Sequence, residues 1–170
     1  MSEILIKVEN VNKIYERGGE TLTVLDGLNL DVPKQDFLAL MGPSGSGKST
    51  LLRSLAGLQK PLAGEVYIDA SPLSALRTEE KSKWLSVVLT GQQISKNLSV
   101  LELVALGRQP YTNWLGKLSQ EDKNHIEQAI EATALEQLRH TACYALSDGQ
   151  FQRALIARAL AQDTPIIMLD

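Results

Sequence analysis

The sequence predicts an α/β fold that begins with an antiparallel β layer and continues into a helical segment and a final strand. Residues 4–11 alternate apolar and polar side chains, which is typical of a half-buried strand. A glycine-rich loop at residues 42–49 lies between an apolar run and a helical segment. Residues 91–146 have helical periodicity, and the apolar run at residues 166–169 predicts the final strand.

The composition is that of an ordinary globular protein. Of the 170 residues, 44% are hydrophobic and 22% are charged, close to the average for globular domains. The formal net charge is −3, so there is no basic footprint, and the composition argues against a nucleic-acid partner. The N-terminus lacks a charged segment followed by a long apolar run, so no signal peptide is expected. No apolar stretch reaches the ~18 residues that a membrane span needs.

In the first half of the chain, apolar runs alternate with turns. Residues 22–30 again have regularly spaced apolar side chains and are expected to belong to the antiparallel β layer. Residues 36–41 are apolar and are expected to form a buried strand that leads into the glycine-rich loop. Residues 49–56 predict a helix, which Gly57 is expected to end. Residues 64–69 predict a short strand.

The second half is predicted to be mainly helical. Residues 73–83 are polar and predict a helical turn or two before a core strand at residues 84–89. Residues 99–106 predict a helix with a serine N-cap, and Gly107 and Pro110 are expected to stop it.

Capping boxes predict the starts of two further helices. Ser119 and Asp122 have the spacing of one box, and Ser147 and Gln150 have the spacing of another. The first of these two helices has a stripe at i, i+3, i+4 and i+7 spacing, formed by Ile126, Ala129, Ile130 and Thr133.

The glycine-rich loop fits the phosphate-binding pattern G-x-x-x-x-G-K-[ST]. It consists of Gly42, Pro43, Ser44, Gly45, Ser46, Gly47, Lys48 and Ser49, followed by Thr50. Glycines let the backbone approach a phosphate, and the successive N–H groups of such a loop form an anion-binding nest. Lys48 supplies a charge for the β- and γ-phosphates, and the Ser49 hydroxyl is the expected Mg²⁺ ligand. The alternative is an ordinary turn that matches by accident, which the flanking strand and helix signals argue against.

Cys143 and His125 could each have either a structural role or a reactive one. Cys143 is the only cysteine, so no internal disulfide is possible. It is either a reactive thiol or a small core residue, and free cysteines are usually buried and inert. His125 lies beside the apolar stripe of its helix, and packing or solvent exposure is favoured over catalysis because no acid–base partner is evident.

Three motifs together resemble the ATP-binding cassette (ABC) ATPases over essentially the whole chain. The loop matches Walker A, residues 146–150 match the signature motif, and Asp170 matches the Walker B aspartate. The resemblance implies a P-loop NTPase with a RecA-like core, an N-terminal antiparallel β layer and an α-helical ABC subdomain. Residues 1–170 would then form a single nucleotide-binding domain, divided into a β layer and P-loop core (1–91), a helical subdomain (92–146) and a signature helix with the Walker B strand (147–170).

The resemblance also implies ATP and Mg²⁺ as ligands. Tyr15 lies where the family has an aromatic residue that stacks on adenine, although a strand-end tyrosine with no such role is the alternative. Gln92 matches the glutamine of the Q-loop, or else it is simply a polar loop residue. The implied Mg²⁺ ligands are Ser49, Gln92 and Asp170. The signature residues would meet the γ-phosphate that a second ABC subunit holds in a head-to-tail dimer; they are Ser147, Asp148, Gly149 and Gln150.

The sequence departs from the family pattern at three places. Asp148 replaces the usual signature glycine, so its side chain is expected to point away from a phosphate. The Q-loop segment reads Thr-Gly-Gln-Gln at residues 90–93 where the family pattern is Pro-Gln. The catalytic glutamate of the family directly follows the Walker B aspartate and would come after Asp170, so no catalytic residue is present. The chain is therefore expected to be C-terminally truncated after Walker B, and to bind Mg-ATP better than it hydrolyses it.

The two parts of the chain resemble different cassettes. Residues 1–75 are similar to lipoprotein-release and macrolide-export cassettes, and residues 85–170 are similar to iron-siderophore, haem and cobalamin importers. A recombined sequence would explain both likenesses. Because the helical subdomain of the family meets an integral membrane permease, the second part favours iron-chelate import. The implied location is peripheral, on the cytoplasmic face of the inner membrane.

The resemblance thus implies an ATP-binding and ATP-hydrolysing subunit of an ABC transporter that powers a membrane permease, with an export-type cassette as an alternative. Two functions of other classes compete with it. One is a catalytically silent module that binds ATP without turnover. The other is a soluble cassette in DNA repair or translation, against which the missing basic patch and the importer-like helical segment argue.

Overall fold

The computed structural model describes residues 3–89, 97–112 and 116–170, with Arg17 described by its backbone alone. These residues form two compact units, which divide between Lys81 and Ser82. The first is built on an antiparallel sheet and the second on helices and a parallel strand pair, so the predicted α/β fold is confirmed. The predicted subdomain boundaries near residues 91 and 146 stay a prediction.

A four-stranded sheet forms the first unit, in the order β2-β1-β3-β4. Its strands are β1 (Ile4–Arg17), β2 (Glu20–Pro33), β3 (Ala63–Ile68) and the short β4 (Ser71–Pro72). All neighbours are antiparallel, and β1 lies between its two long partners, with Val8 opposite both Leu30 and Val66. Val8 and Val66 are each 1% exposed, so the alternation that predicted the first strand does bury one of its faces.

Helix α1 (Lys48–Leu55) follows the glycine-rich loop, as predicted. It buries Leu51 and Leu55 and ends two residues before Gly57, whose φ of +66° is a left-handed conformation that favours glycine. The N–H groups of Leu58 and Gln59 then donate to the Arg53 carbonyl, at 2.9 and 3.2 Å. These bonds satisfy a carbonyl of the last helical turn that would otherwise lack a partner.

The buried strand expected at residues 36–41 is not observed. The segment belongs to none of the strands, and Phe37 and Met41 are 89% and 90% exposed. A central strand is buried only when neighbouring strands pair with both of its edges, and the described strands pair among themselves. Apolar composition therefore indicated a preference for β structure without establishing a pairing partner.

Helix α2 (Thr78–Trp84) leads into β5 (Leu85–Val88), one residue later than the sequence indicated. The second unit pairs β5 in parallel with β6 (Ile166–Leu169) and packs α3 (Val100–Ala105), α4 (Gln120–Ala132) and α5 (Asp148–Ala161) into one core. Val100, Leu103, Leu135 and Ala154 are completely buried there. In β6, Ile166 and Met168 are buried whereas Ile167 and Leu169 are 41% and 54% exposed, so only one face of this predicted core strand is covered.

Capping boxes start all three of these helices. Ser99 pairs with Glu102, Ser119 with Asp122 and Ser147 with Gln150. The predicted stop signals of α3 act differently from expectation, because the α-helix ends at Ala105 and continues as a 3₁₀ helix, Leu106–Tyr111, that includes both Gly107 and Pro110. Among the described residues, no helix has the length and apolarity needed to cross a membrane.

Candidate nucleotide site

The glycine-rich loop folds around the ammonium group of Lys48. Lys48 Nζ donates to the carbonyl oxygens of Gly42 and Pro43, each at 2.8 Å, and to the Ser46 hydroxyl at 3.1 Å. The loop thus closes on its own cation at the N-terminus of α1. A polyphosphate would replace these neutral acceptors with charged ones, which form stronger bonds with an ammonium group.

Gly47 attaches the loop to the sheet. It is the N-cap of α1, with a φ of +88°, and no side chain caps the helix there. A Cβ at this position would lie 2.9 Å from Val24 Cγ1 and 3.0 Å from the Val24 carbonyl oxygen in β2. Glycine is therefore required by both backbone conformation and space.

The donors of this loop fit a polyphosphate. The first N–H groups of α1 have no acceptor within the helix, and the helix dipole favours an anion at that end. Lys48 adds a full positive charge at the same place. Residues 42–50 form the loop and the first turn of α1, and their binding of phosphate stays a prediction.

Tyr15 lies next to α1. Its Oη accepts a 2.6 Å hydrogen bond from Gln59 Nε2 and also hydrogen-bonds with the Thr50 side chain. Burial raises the pKa of the phenol, but the hydrogen bonds with Thr50 and Gln59 and the charges of Lys13 and Arg53 outweigh it and hold the pKa below its ordinary value. The residue is still 38% exposed, so a tyrosine that contacts the P-loop helix is also accessible to solvent.

The predicted signature residues begin α5 in the second unit. Ser147 N donates to Gln150 Oε1 at 2.9 Å, and Gln150 N donates to Ser147 Oγ at 3.3 Å. Asp148 and Gly149 are exposed in the first turn, and a Cβ at Gly149 would meet nothing within 4 Å. The box stabilises the helix start and leaves room beside its first turn.

Sequence reasoning missed the role of Arg108 at the other end of α5. Arg108 Nη1 donates to the carbonyl of Ala161 at 2.9 Å, its Nε donates to Asp122 Oδ1 at 2.8 Å, and its guanidinium lies 4.0 Å from the Tyr111 ring centroid. Hydrogen bonding by Ser119, followed by that of Arg108, lowers the pKa of Asp122 to about 2 against the opposing effect of burial. The aspartate in the capping box was visible in the sequence, but its buried cationic partner was not.

Asp170 follows β6, and its backbone N–H donates to the Val88 carbonyl at 2.9 Å, which extends the parallel pairing by one bond. Its side chain is half-buried. Gln92, the remaining predicted Mg²⁺ ligand, lies outside the described residues.

Cys143 and His125 lie in positions that fit a structural role better than a catalytic one. Cys143 is 2% exposed within the core of the second unit, and burial, followed by the charge of Glu102, raises the pKa of its thiol. A thiol with a raised pKa forms little thiolate and is therefore a poor nucleophile. His125 Nε2 is 3.8 Å from Asp163 Oδ2, beyond hydrogen-bonding distance, and the aspartate is exposed.

Comparisons with known proteins agree with this geometry. A family model described as ABC transporter matches residues 25–170. The petrobactin import ATP-binding protein FpuD of Bacillus anthracis is 42% identical over 152 residues, which are 89% of this chain and 55% of that protein. The ferric enterobactin transport ATP-binding protein FepC of Escherichia coli is 36% identical over 148 residues, 87% of this chain and 55% of that protein.

Among solved structures, the dimeric ATP-binding cassette MJ0796 in a post-hydrolysis state with ADP and phosphate superimposes with a TM-score of 0.87 at 35% identity. The match covers 98% of this chain and 73% of that one. The chain spans about half the length of the curated relatives named here. The sequence motifs, the fold and the family match agree, and the chain belongs to the ABC transporter family as an ATP-binding cassette.

Proposed function

We propose that the chain binds Mg-ATP and forms part of an ATPase subunit that powers a membrane permease for iron–siderophore import. The observation that supports ATP binding most directly is the loop of residues 42–49, whose Lys48 ammonium lies among loop oxygens at the N-terminus of α1. The substrate class is inferred from relatives named for petrobactin import and ferric enterobactin transport.

Each predicted residue has a role in this proposal. Residues 42–50 hold the phosphates, and Tyr15 stacks on the base. Ser49, Gln92 and Asp170 are the candidate Mg²⁺ ligands, and Mg²⁺, when bound, neutralises charge on the β- and γ-phosphates. The signature residues contact the nucleotide of a second ABC subunit, and pairing of two cassettes is supported by the dimeric state of MJ0796. The helical segment contacts the permease, which would place the chain peripherally at the cytoplasmic face of the inner membrane.

The proposed ATP site is tested by titrating the chain with Mg-ATP in a calorimeter. Lys48→Ala is expected to weaken binding about 10- to 100-fold, because it removes a charge-assisted hydrogen bond. Lys123→Ala removes the same charge from an exposed position on α4 and is expected to leave affinity within about twofold. Unchanged binding in Lys48→Ala would overturn the ATP site.

The proposed substrate class needs a cellular test. Deleting the gene in its host and measuring uptake of radioactive iron chelates, haem and cobalamin is expected to show a selective loss of iron–siderophore uptake. A defect in lipoprotein release with normal iron uptake would instead support an export-type cassette, to which residues 1–75 are similar.

A further inference from the structure

We propose that Gln59 is a positioning residue that holds the Tyr15 ring in place for the base of the bound nucleotide. The proposal rests on the proposed function, because it concerns the base end of the same ATP site. Its starting observation is the 2.6 Å hydrogen bond from Gln59 Nε2 to Tyr15 Oη, between residues 44 positions apart in the sequence.

Gln59 connects Tyr15 to the C-terminal end of the P-loop helix. The backbone N–H of Gln59 donates to the Arg53 carbonyl at 3.2 Å, within the bonds that end α1. At the other end of α1, the Thr50 side chain also hydrogen-bonds with Tyr15. The phenol is therefore held from both ends of the helix that follows the phosphate-binding loop, which links the position of the aromatic ring to that of the phosphate site.

The same segment also fixes the strand that bears Tyr15. The β1–β3 ladder includes the pair Asn12 and Ala63, and beyond it the N–H of Leu62 donates to the Asn12 carbonyl at 2.8 Å. Next, Lys13 Nζ donates to the Lys60 carbonyl at 2.9 Å. The bond from Gln59 to Tyr15 is the third contact in this series, so contacts to residues 59–62 extend the sheet pairing up to the tyrosine.

The ring that these contacts hold has surface for a ligand. Lys13 Nζ lies over the ring, 5.6 Å from its centroid, but 38% of the tyrosine remains exposed. An aromatic side chain that is already restrained loses less conformational entropy when a base stacks on it. Gln59 should thus increase affinity for the base while having little effect on binding of the phosphates.

The experiment compares Mg-ATP with Mg-tripolyphosphate, which has the phosphates but no base. Gln59→Leu is expected to weaken Mg-ATP binding about 3- to 10-fold, the size of one neutral hydrogen bond, and to leave tripolyphosphate binding within about twofold. Tyr15→Phe retains the ring but removes Oη and with it the interactions with both Gln59 and Thr50, so its loss should be at least as large. The double variant should bind no more weakly than Tyr15→Phe alone, because the bond that Gln59→Leu removes is already lost in Tyr15→Phe.

Equal losses for both ligands in Gln59→Leu would show that Gln59 acts on the phosphate site, and additive losses in the double variant would show that it does not act through Tyr15. Either result overturns the proposal. Wild-type affinity that is the same for both ligands would also overturn it while leaving the P-loop function intact. Binding of neither ligand would remove the proposed function and, with it, any base to be positioned.

A second readout does not depend on nucleotide. In protein labelled with ¹³C at tyrosine Cζ, the Tyr15 resonance can be identified by its loss in Tyr15→Phe. Gln59→Leu is expected to shift that resonance at neutral pH, and an unchanged resonance in folded Gln59→Leu would contradict the hydrogen bond on which the proposal rests.

Discussion

Arg108 Nε lies 2.8 Å from Asp122 Oδ1, and the two side chains are only 5% and 6% exposed. The same guanidinium donates to the carbonyl of Ala161 at the end of α5. One buried cation therefore joins the start of α4 to the end of α5, the helix that begins with the predicted signature residues. Removing water from both charges is costly, so the pair stabilises the fold only while both partners and their hydrogen bonds are present.

Asp122→Asn should destabilise the chain strongly. It keeps the shape of the side chain but leaves the buried Arg108 charge without its carboxylate, and breaking such a pair costs about 3–5 kcal/mol. Urea unfolding followed by circular dichroism measures the change. The control is Glu127→Gln, which breaks the contact between Glu127 and Arg139, whose side chains are 54% and 33% exposed, and should cost under about 1 kcal/mol. Equal losses in the two variants would mean that burial does not determine the contribution of these pairs.

At acid pH, the free energy of unfolding should depend on the protonation of Asp122. Its pKa is about 2 in the folded chain, against an ordinary value of 3.8 for an aspartate. The unfolded state therefore binds more protons between these values, and the stabilisation is complete above about pH 4 and lost as the pH falls towards 2. The difference in unfolding free energy between wild type and Asp122→Asn should grow by about 2 kcal/mol from pH 2 to pH 5. A difference independent of pH would contradict the lowered pKa.

Gly47→Ala should destabilise the first unit more than Gly45→Ala does. The two glycines have similar φ values, +88° and +82°, so alanine is strained at both by about 1–2 kcal/mol. Only at Gly47 would the new Cβ approach Val24, whereas at Gly45 it meets nothing within 4 Å. The added overlap should cost a further ~1–3 kcal/mol in thermal or urea unfolding. Val24→Ala should recover part of the additional loss, and no recovery would argue against the contact as its cause.

Local patterns in the sequence were sufficient for features within a few residues. The boxes at Ser119 and Ser147 and the glycine at the end of α1 depend on partners within about one helical turn, and all are observed. The P-loop was identifiable for the same reason, because its pattern is continuous in the sequence.

Features that depend on partners distant in sequence were not predictable in this way. The bond between Gln59 and Tyr15 spans 44 positions, and the pair of Arg108 and Asp122 spans 14. The presence of a glutamine at position 59 or an arginine at position 108 does not indicate which residue it contacts, because both types are common on helices and surfaces. The prediction of a strand at residues 36–41 was wrong for a related reason, because a strand forms only where the edge of another strand is available to pair with it.

Asp148 should contribute to stability and oppose nucleotide binding by a second copy. It lies exposed in the first turn of α5, where an acid interacts favourably with the helix dipole, so Asp148→Asn should cost about 0.3–1 kcal/mol. If the signature residues meet a partner's triphosphate as proposed, removing this negative charge should strengthen ATP-dependent dimerisation, measured by sedimentation velocity at low salt. Glu121→Gln is the matched control, because Glu121 is an exposed acid in the first turn of α4. It should lower stability by a similar amount with no effect on dimerisation, and an equal increase in both variants would attribute the effect to net charge instead of the signature position.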